Sequence, residues 1–291
     1  MNYEGPVIRP PSEANSLILQ VTVGCSHNRC TFCPAYKGRR FRIKGIEEIR
    51  QDIEEASLFS AEVRRVFLAD GDALIIPQPK LLEIVNCLHR RFPALQRIGS
   101  YANVKSILRK SVEELKELKA GKLSIIYLGI ESGDDDILEA VHKGATAETI
   151  AEAASRVKEA GMKLSVTVLL GIGGRERSLI HARETAKILT RIQPDYVGAL
   201  TLMLIPGAPL YDAAEGGSFA LPSPFELLLE LKTMIAESDL NHCLFFSNHA
   251  SNYFPVKARL PRDKKACVQM LDRVLDQHDR GALTPEHLRA L

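Results

Sequence analysis

Two hydrophobic patterns alternate along this chain. Short runs rich in Leu, Ile and Val are separated by longer segments whose apolar residues recur every three or four positions. The first pattern predicts buried strands and the second amphipathic helices. Strands are predicted over 17–23, 63–68, 97–101, 124–130, 163–170 and 196–203, and helices over 47–59, 79–91, 111–120, 134–142, 147–160 and 177–192. Gly121 and Gly161 stand where two of the helices should stop.

Six strands alternating with helices predict a parallel sheet, because each strand must return to the same edge through a right-handed crossover. The expected class is α/β: a (β/α)6 partial TIM barrel over 17–210, after an N-terminal lead over 1–16. A C-terminal helical extension over 211–291 is expected to cover the barrel mouth, with a helix over 225–236, an extended piece over 243–246 and a helix from Arg262 towards Asp276. In such sheets function gathers where strands end. Those ends carry Cys25, Asp70, Tyr101, Glu131, Gly171 and Ile205-Pro206-Gly207.

Composition changes this picture little. The 291 residues are 45% hydrophobic and 25% charged, ordinary for a globular chain that can build a core. A formal net charge of +2 gives no global field to attract nucleic acid or a membrane. No apolar run approaches the length of a membrane span, and the first residues lack the pattern of a signal peptide, so a cytoplasmic location is expected.

Six cysteines in a reducing compartment are metal ligands or core residues sooner than disulfides. Cys25, Cys30 and Cys33 fall within nine residues, whereas Cys87, Cys243 and Cys267 stand alone. Three soft thiolates on one tight loop suit an iron-sulfur cluster, each reaching a different iron and leaving one iron open. Two alternatives stay open at this point. An electron-transfer cluster of this spacing needs a fourth cysteine, and a structural zinc site could recruit His27 or a distant Cys.

The segment VTVGCSHNRCTFCPAYKG resembles the cluster loop of the radical S-adenosylmethionine (SAM) superfamily, with the aromatic Phe32 just before the last cysteine. The family usually has three residues between the first two cysteines, and this chain has four, Ser26 to Arg29. FLADGDAL, YLGIESGDDDILEAVHKG and VTVLLGIGGR follow in the family's order, and the second is similar to the methylthiotransferase and elongator catalytic subunit branch. The resemblance implies a [4Fe-4S] cluster on Cys25, Cys30 and Cys33, and SAM as the second cofactor. By the same resemblance Phe32 is a cofactor-binding residue, and Asp70, Gly71 and Asp72 receive the SAM amino group in place of the usual Gly-Gly-Glu. Glu131 and Ser132 face the ribose and methionine end, and Gly171 and Ile172 lie along the adenine. The implied activity is reductive cleavage of SAM to a 5′-deoxyadenosyl radical that abstracts hydrogen from a substrate. No protein general base is needed for that first step, and none is assigned.

Lys37, Arg39, Arg40, Arg42 and Lys44 form a basic run after the cysteine loop: a solvated face first, or a docking surface for a flavodoxin or ferredoxin-type reductant or an anionic substrate. Tyr101, Asn103, His249, Asn252 and Tyr253 are candidates to face the substrate. Only 24 residues precede Cys25, too few for the additional cluster domain of methylthiotransferases, so a compact enzyme acting on a small molecule is expected ahead of one that modifies nucleic acid or protein.

Overall fold

A computed structural model describes residues 1–59 and 62–290 of the chain; Leu291, at the end of the expected extension, lies outside the described residues. The principal strands and helices are β1 (Leu17–Gln20), α1 (Ile46–Phe59), β2 (Arg65–Ala69), α2 (Gln78–Arg91), β3 (Arg97–Ala102), α3 (Val104–Leu108), α4 (Val112–Ala120), β4 (Leu123–Glu131), α5 (Asp135–Ala140), α6 (Ala147–Glu159), β5 (Lys163–Leu170), α7 (Gly174–Ile192), β6 (Tyr196–Thr201), α8 (Pro209–Glu215), α9 (Pro224–Glu237), β7 (Cys243–Phe246), β8 (Lys257–Leu260) and α10 (Lys264–Gln277). The six predicted strands are all present, and the chain is α/β with mostly parallel pairing.

The chain divides into two compact units. The first comprises Met1–Asn28, Gly38–Leu128 and Glu152–Leu164. In it β1, β2, β3 and β4 pair side by side, all parallel. Val66, Phe67, Leu68 and Ala69 of β2 are all fully buried, with no alternation, as expected of a strand covered on both faces. Phe67 meets the rings of Tyr101 and Tyr127 edge-on, at 4.9 and 5.6 Å between centroids. The N-terminal lead plugs this core through Glu13, which is wholly buried. Its carboxylate accepts from Tyr127 and Ser16 and pairs with Arg97 at 2.6 Å.

The second unit comprises Arg29–Lys37, Gly129–Ala151 and Ser165–Leu291. Here β5, β6 and β7 pair in parallel, and β8 closes on β7 in the antiparallel sense. Strands β5 and β6 alternate between buried and half-buried positions. Helix α9 begins with a capping box in which Ser223 and Glu226 bond each other's backbone, and it packs on α7.

Several elements differ from expectation. α7 begins at Gly174 rather than Arg177, and α3 and α8 were not predicted. α3 has five residues, too few to show a period; an Asn103/Ser106 capping box starts it. Lys257–Leu260 was not among the predicted strands; its two basic residues are exposed while Ala258 and Leu260 are buried. Charged outward residues are usual on such a strand. The stop after α4 also differs: Gly121 has φ −77° and Lys122 takes the left-handed turn at φ 66°.

Replacing Glu13 by Ala leaves the Arg97 charge without its partner and takes one of the two bonds from the Tyr127 hydroxyl, which keeps Ser12 at 3.0 Å, so urea unfolding should show a loss of about 2 kcal/mol. A loss below about 1 kcal/mol would contradict this account of the plug.

Candidate functional site

In the first unit the polar residues begin where the buried strands end. Asp70 follows Ala69 directly and is wholly buried. Its carboxylate accepts from Gln20 Nε2 at 3.1 Å and from the Gly24 N–H at 3.2 Å, while its own N–H donates to Thr22 Oγ1 at 3.1 Å. The Gly71 N–H donates to Gly24 O at 3.2 Å. The Asp70-Gly71-Asp72 turn therefore grips the residue before Cys25, which itself turns at φ 78°.

Asp72 reaches one step further into the cysteine loop. Its carboxylate accepts from Ser26 Oγ, from Asn103 Nδ2 at 2.7 Å and from the Asn103 N–H at 3.3 Å. Burial raises its pKa, and the Ser106 and Ser26 hydroxyls and the Asn103 N–H oppose the rise. Asn103 also donates to Ser26 Oγ at 3.0 Å while capping α3. Ser26, Asp72 and Asn103 thus form one closed network. Ser26 is a residue that sequence reasoning passed over, although its place beside Cys25 was a signal.

In the second unit the other end of the loop is held. The Thr31 N–H donates to Val141 O at 3.0 Å, and Thr31 O accepts from the Leu210 N–H at 2.9 Å. Phe32 packs against Ile137, Val141 and Ile172. That gives Phe32 an apolar anchoring role one residue before Cys33. The thiols of Cys25, Cys30 and Cys33 are half-buried, whereas Cys87, Cys243 and Cys267 are buried. Among the described residues no group of His, Cys, Asp or Glu is already gathered at metal-binding distances. By donor chemistry the three half-exposed thiols fit an iron-sulfur cluster, since soft sulfur ligands prefer it to oxygen-ligated ions.

Glu131 ends β4 in the left-handed region, at φ 63°, a conformation that costs a non-glycine residue about 1 kcal/mol and persists only where the surroundings impose it. Lys143 holds its carboxylate at 2.8 Å. Ser132 is wholly buried and lies 2.8 Å from His181 Nδ1, while its Oγ accepts from the Asp134 N–H at 3.0 Å. Gly171 turns at φ 83° after β5; a side chain there would come within 2.8 Å of Leu227 Cδ2. Its N–H donates to Glu230 Oε1 at 2.7 Å, and Ser178 Oγ donates to Glu230 Oε2 at 2.6 Å. His181 Nε2 stands 3.4 Å from Glu230 Oε1. Burial pushes the Glu230 carboxyl up to about 8 and the His181 imidazole down to about 4, so both are mainly neutral at pH 7. Glu230 and His181 were missed in the sequence. The available signal was a lone acid inside the apolar run of α9.

The substrate-facing candidates divide. Asn252 accepts from Thr201 Oγ1 at 2.8 Å and donates to Ala199 O at 2.9 Å. Tyr253 bonds Glu286 and lies under the Arg289 guanidinium, 4.0 Å from its ring centroid. Both side chains are engaged in fixing their own loop. His249 Nδ1 accepts from the Ser251 N–H at 3.1 Å, and burial lowers its pKa. Tyr101 belongs to the ring cluster around Phe67.

The basic run is largely occupied. Lys44 is buried, with its Nζ 2.8 Å from Asp52 and 2.7 Å from Asn2 O. Arg42 pairs with Glu48 and Glu4, holding the Glu48 carboxyl down to about 2, and Arg39 donates to Glu4 O at 2.9 Å. These three cations tie the N-terminal lead to α1; only Lys44 is withdrawn from solvent, and Arg42 stays 39% exposed within its ion pairs.

Comparison with known proteins places this geometry in a family. The curated tRNA-2-methylthio-N(6)-dimethylallyladenosine synthase of Dehalococcoides mccartyi is 28% identical over 196 residues, 65% of this chain and 45% of that protein. The chain spans about half the length of the curated relatives it matches first. Among solved structures, coproporphyrinogen III oxidase (HemN) from Escherichia coli, a radical SAM enzyme, superposes with TM-score 0.61 at 14% identity, covering 94% of this chain and 61% of that one. TsrM from Kitasatospora setae, a radical S-adenosylmethionine methyltransferase with cobalamin and a [4Fe-4S] cluster bound, gives TM-score 0.57 at 20% identity over 69% of this chain and 37% of that one. These neighbours share a partial TIM barrel fold. The family model of the radical SAM superfamily matches residues 19–187, more than half of the 291, and this chain belongs to that superfamily.

Proposed function

We propose that this chain holds a [4Fe-4S] cluster through Cys25, Cys30 and Cys33 and cleaves SAM there, removing hydrogen from a small-molecule substrate. The observation that carries the reading is the cysteine set itself. Three half-exposed thiols share one loop, while Cys87, Cys243 and Cys267 are buried in α2, β7 and α10, so the loop offers three ligands and not four. An electron carrier would need the fourth.

When bound, the reduced cluster supplies the electron that splits SAM into methionine and a 5′-deoxyadenosyl radical. The protein's contribution is placement. The Asp70-Gly71-Asp72 turn would receive the SAM amino group and, through Gly24 and Ser26, hold the start of the cysteine loop. Glu131, set in its left-handed turn and charge-balanced by Lys143, would accept hydrogen bonds from the ribose or methionine end together with Ser132. Gly171, lacking a side chain, and the buried Ile172 would bring backbone and apolar surface against the adenine.

A small hydrogen donor is favoured over nucleic acid because Lys44, Arg42 and Arg39 are engaged with Asp52, Glu48 and the lead, leaving little of the basic stripe that phosphate binding needs. A flavodoxin or ferredoxin-type protein would serve as reductant. No helix among the described residues is long and apolar enough to cross a membrane.

Anaerobic reconstitution of single Ala variants tests the ligand set. Cys25→Ala, Cys30→Ala and Cys33→Ala should each lose the cluster, whereas Cys87→Ala, Cys243→Ala and Cys267→Ala should keep the parent's four irons within about one. Iron loss from one of the last three would favour a four-thiolate electron carrier, and zinc in place of iron would favour a structural site. Glu131→Ala should retain iron yet bind SAM roughly ten- to a hundredfold more weakly, the value of one charged hydrogen bond. Unchanged affinity would remove Glu131 from the SAM site.

A further inference from the structure

Helix α9 lies beyond the last of the motifs that resemble the family, yet one of its side chains is tied to two of the proposed SAM-contact segments. Glu230 is fully buried and takes the Gly171 N–H on one oxygen at 2.7 Å. One turn earlier on the same helix, Leu227 Cδ2 occupies the space a Gly171 side chain would need, at 2.8 Å. The helix therefore both presses on the Gly171 turn and hydrogen-bonds it. The Ser223/Glu226 capping box fixes where the helix starts, and so the register that presents Leu227 and Glu230.

The same Glu230 oxygen lies 3.4 Å from His181 Nε2, and His181 Nδ1 lies 2.8 Å from Ser132 Oγ. Ser132 Oγ accepts from the Asp134 N–H, and His181 Nδ1 also lies 3.3 Å from Thr185 Oγ1, which accepts from the Gly133 N–H, so the imidazole meets the 132–134 segment through two hydroxyls. One buried acid thus hydrogen-bonds the Gly171 turn and packs against the imidazole that bonds Ser132. Its other oxygen is satisfied by Ser178 at 2.6 Å. Asp134, whose charge raises the His181 pKa against the effect of burial, is paired with Arg177 at 2.8 Å. Among the described residues His181 Nε2 makes no hydrogen bond, so its meeting with Glu230 is a contact between buried polar groups, while the bonds of Glu230 to Gly171 and Ser178 are formed.

We infer that Glu230 and His181 are positioning residues for SAM: from behind the site they fix the Gly171-Ile172 turn against adenine and the Ser132 hydroxyl against the ribose and methionine end. The inference rests on the SAM site proposed above. It assigns to the C-terminal extension a share in SAM affinity, without Glu230 or His181 touching SAM.

Equilibrium dialysis of SAM against the reconstituted, oxidised protein, in which no cleavage takes place, reads the effect directly. Glu230→Ala and His181→Ala should each weaken SAM binding by about tenfold, since a turn that has lost a buried partner must move to find another. Glu230→Gln should restore affinity to within about threefold of the parent, because the amide oxygen still accepts from Gly171 and the amide nitrogen donates to Ser178. Ser178→Ala removes only the outer bond and should also stay within about threefold. Iron content and melting temperature identify variants that have not folded; if Glu230→Ala is one, His181→Ala decides. Parent-like affinity in a folded, iron-loaded Glu230→Ala or His181→Ala protein overturns the inference, as does a Glu230→Gln protein as weak as Glu230→Ala. An iron-loaded parent that takes up no SAM overturns instead the SAM-site reading beneath it, and the inference falls with it.

Discussion

Strands buried on both faces leave no room for polar chemistry along their length, and this constraint organises the molecule. Phe67, Leu68 and Ala69 are wholly enclosed, and the next residue, Asp70, is the first that can offer a carboxylate. The same switch occurs at Glu131 after Ile130, whereas β5, whose positions alternate between buried and half-buried, ends at the Gly171 turn. Each polar group must then be satisfied locally, because an unmet buried donor or acceptor costs about 1–3 kcal/mol. Asp70 is met by Gln20 and Gly24, Asp72 by Ser26 and Asn103, and Glu131 by Lys143.

The satisfied groups do structural and chemical service together. The first two cradle the entry to the cysteine loop, so the carboxylates proposed to receive the SAM amino group also set the backbone from which Cys25 projects. Phe32 does the equivalent beside Cys33 through apolar contact with Ile137, Val141 and Ile172. The cysteine loop is therefore anchored near both ends by residues outside it. Its four-residue spacing between Cys25 and Cys30, one longer than the family's usual three, leaves both anchors in place.

Much of this was legible in the sequence, for identifiable reasons. The strands could be read because a doubly covered strand is a continuous apolar run, and the longer helices because their period repeats several times. α3 and α8 span five and seven residues and show no such repeat. The cysteine loop and the strand-end residues were visible as local motifs. Lys44 was not: within KGRRFRIK it looks solvated, and only its meeting with Asp52 and the Asn2 carbonyl buries it. Glu230 was hidden for the same reason, since its partners Gly171 and Ser178 stand 59 and 52 residues away. Asn252 and Tyr253 have the polar and aromatic character of substrate contacts, but their bonds to Thr201, Ala199, Glu286 and Arg289 are internal.

The central claim is that this fold brings SAM to a reducible cluster at which it is cleaved. Mass spectrometry of the products formed when the iron-loaded protein is incubated with dithionite and SAM tests it most directly. The account predicts 5′-deoxyadenosine and methionine from the parent and neither from Cys30→Ala. A fully iron-loaded parent that yields no 5′-deoxyadenosine would contradict it.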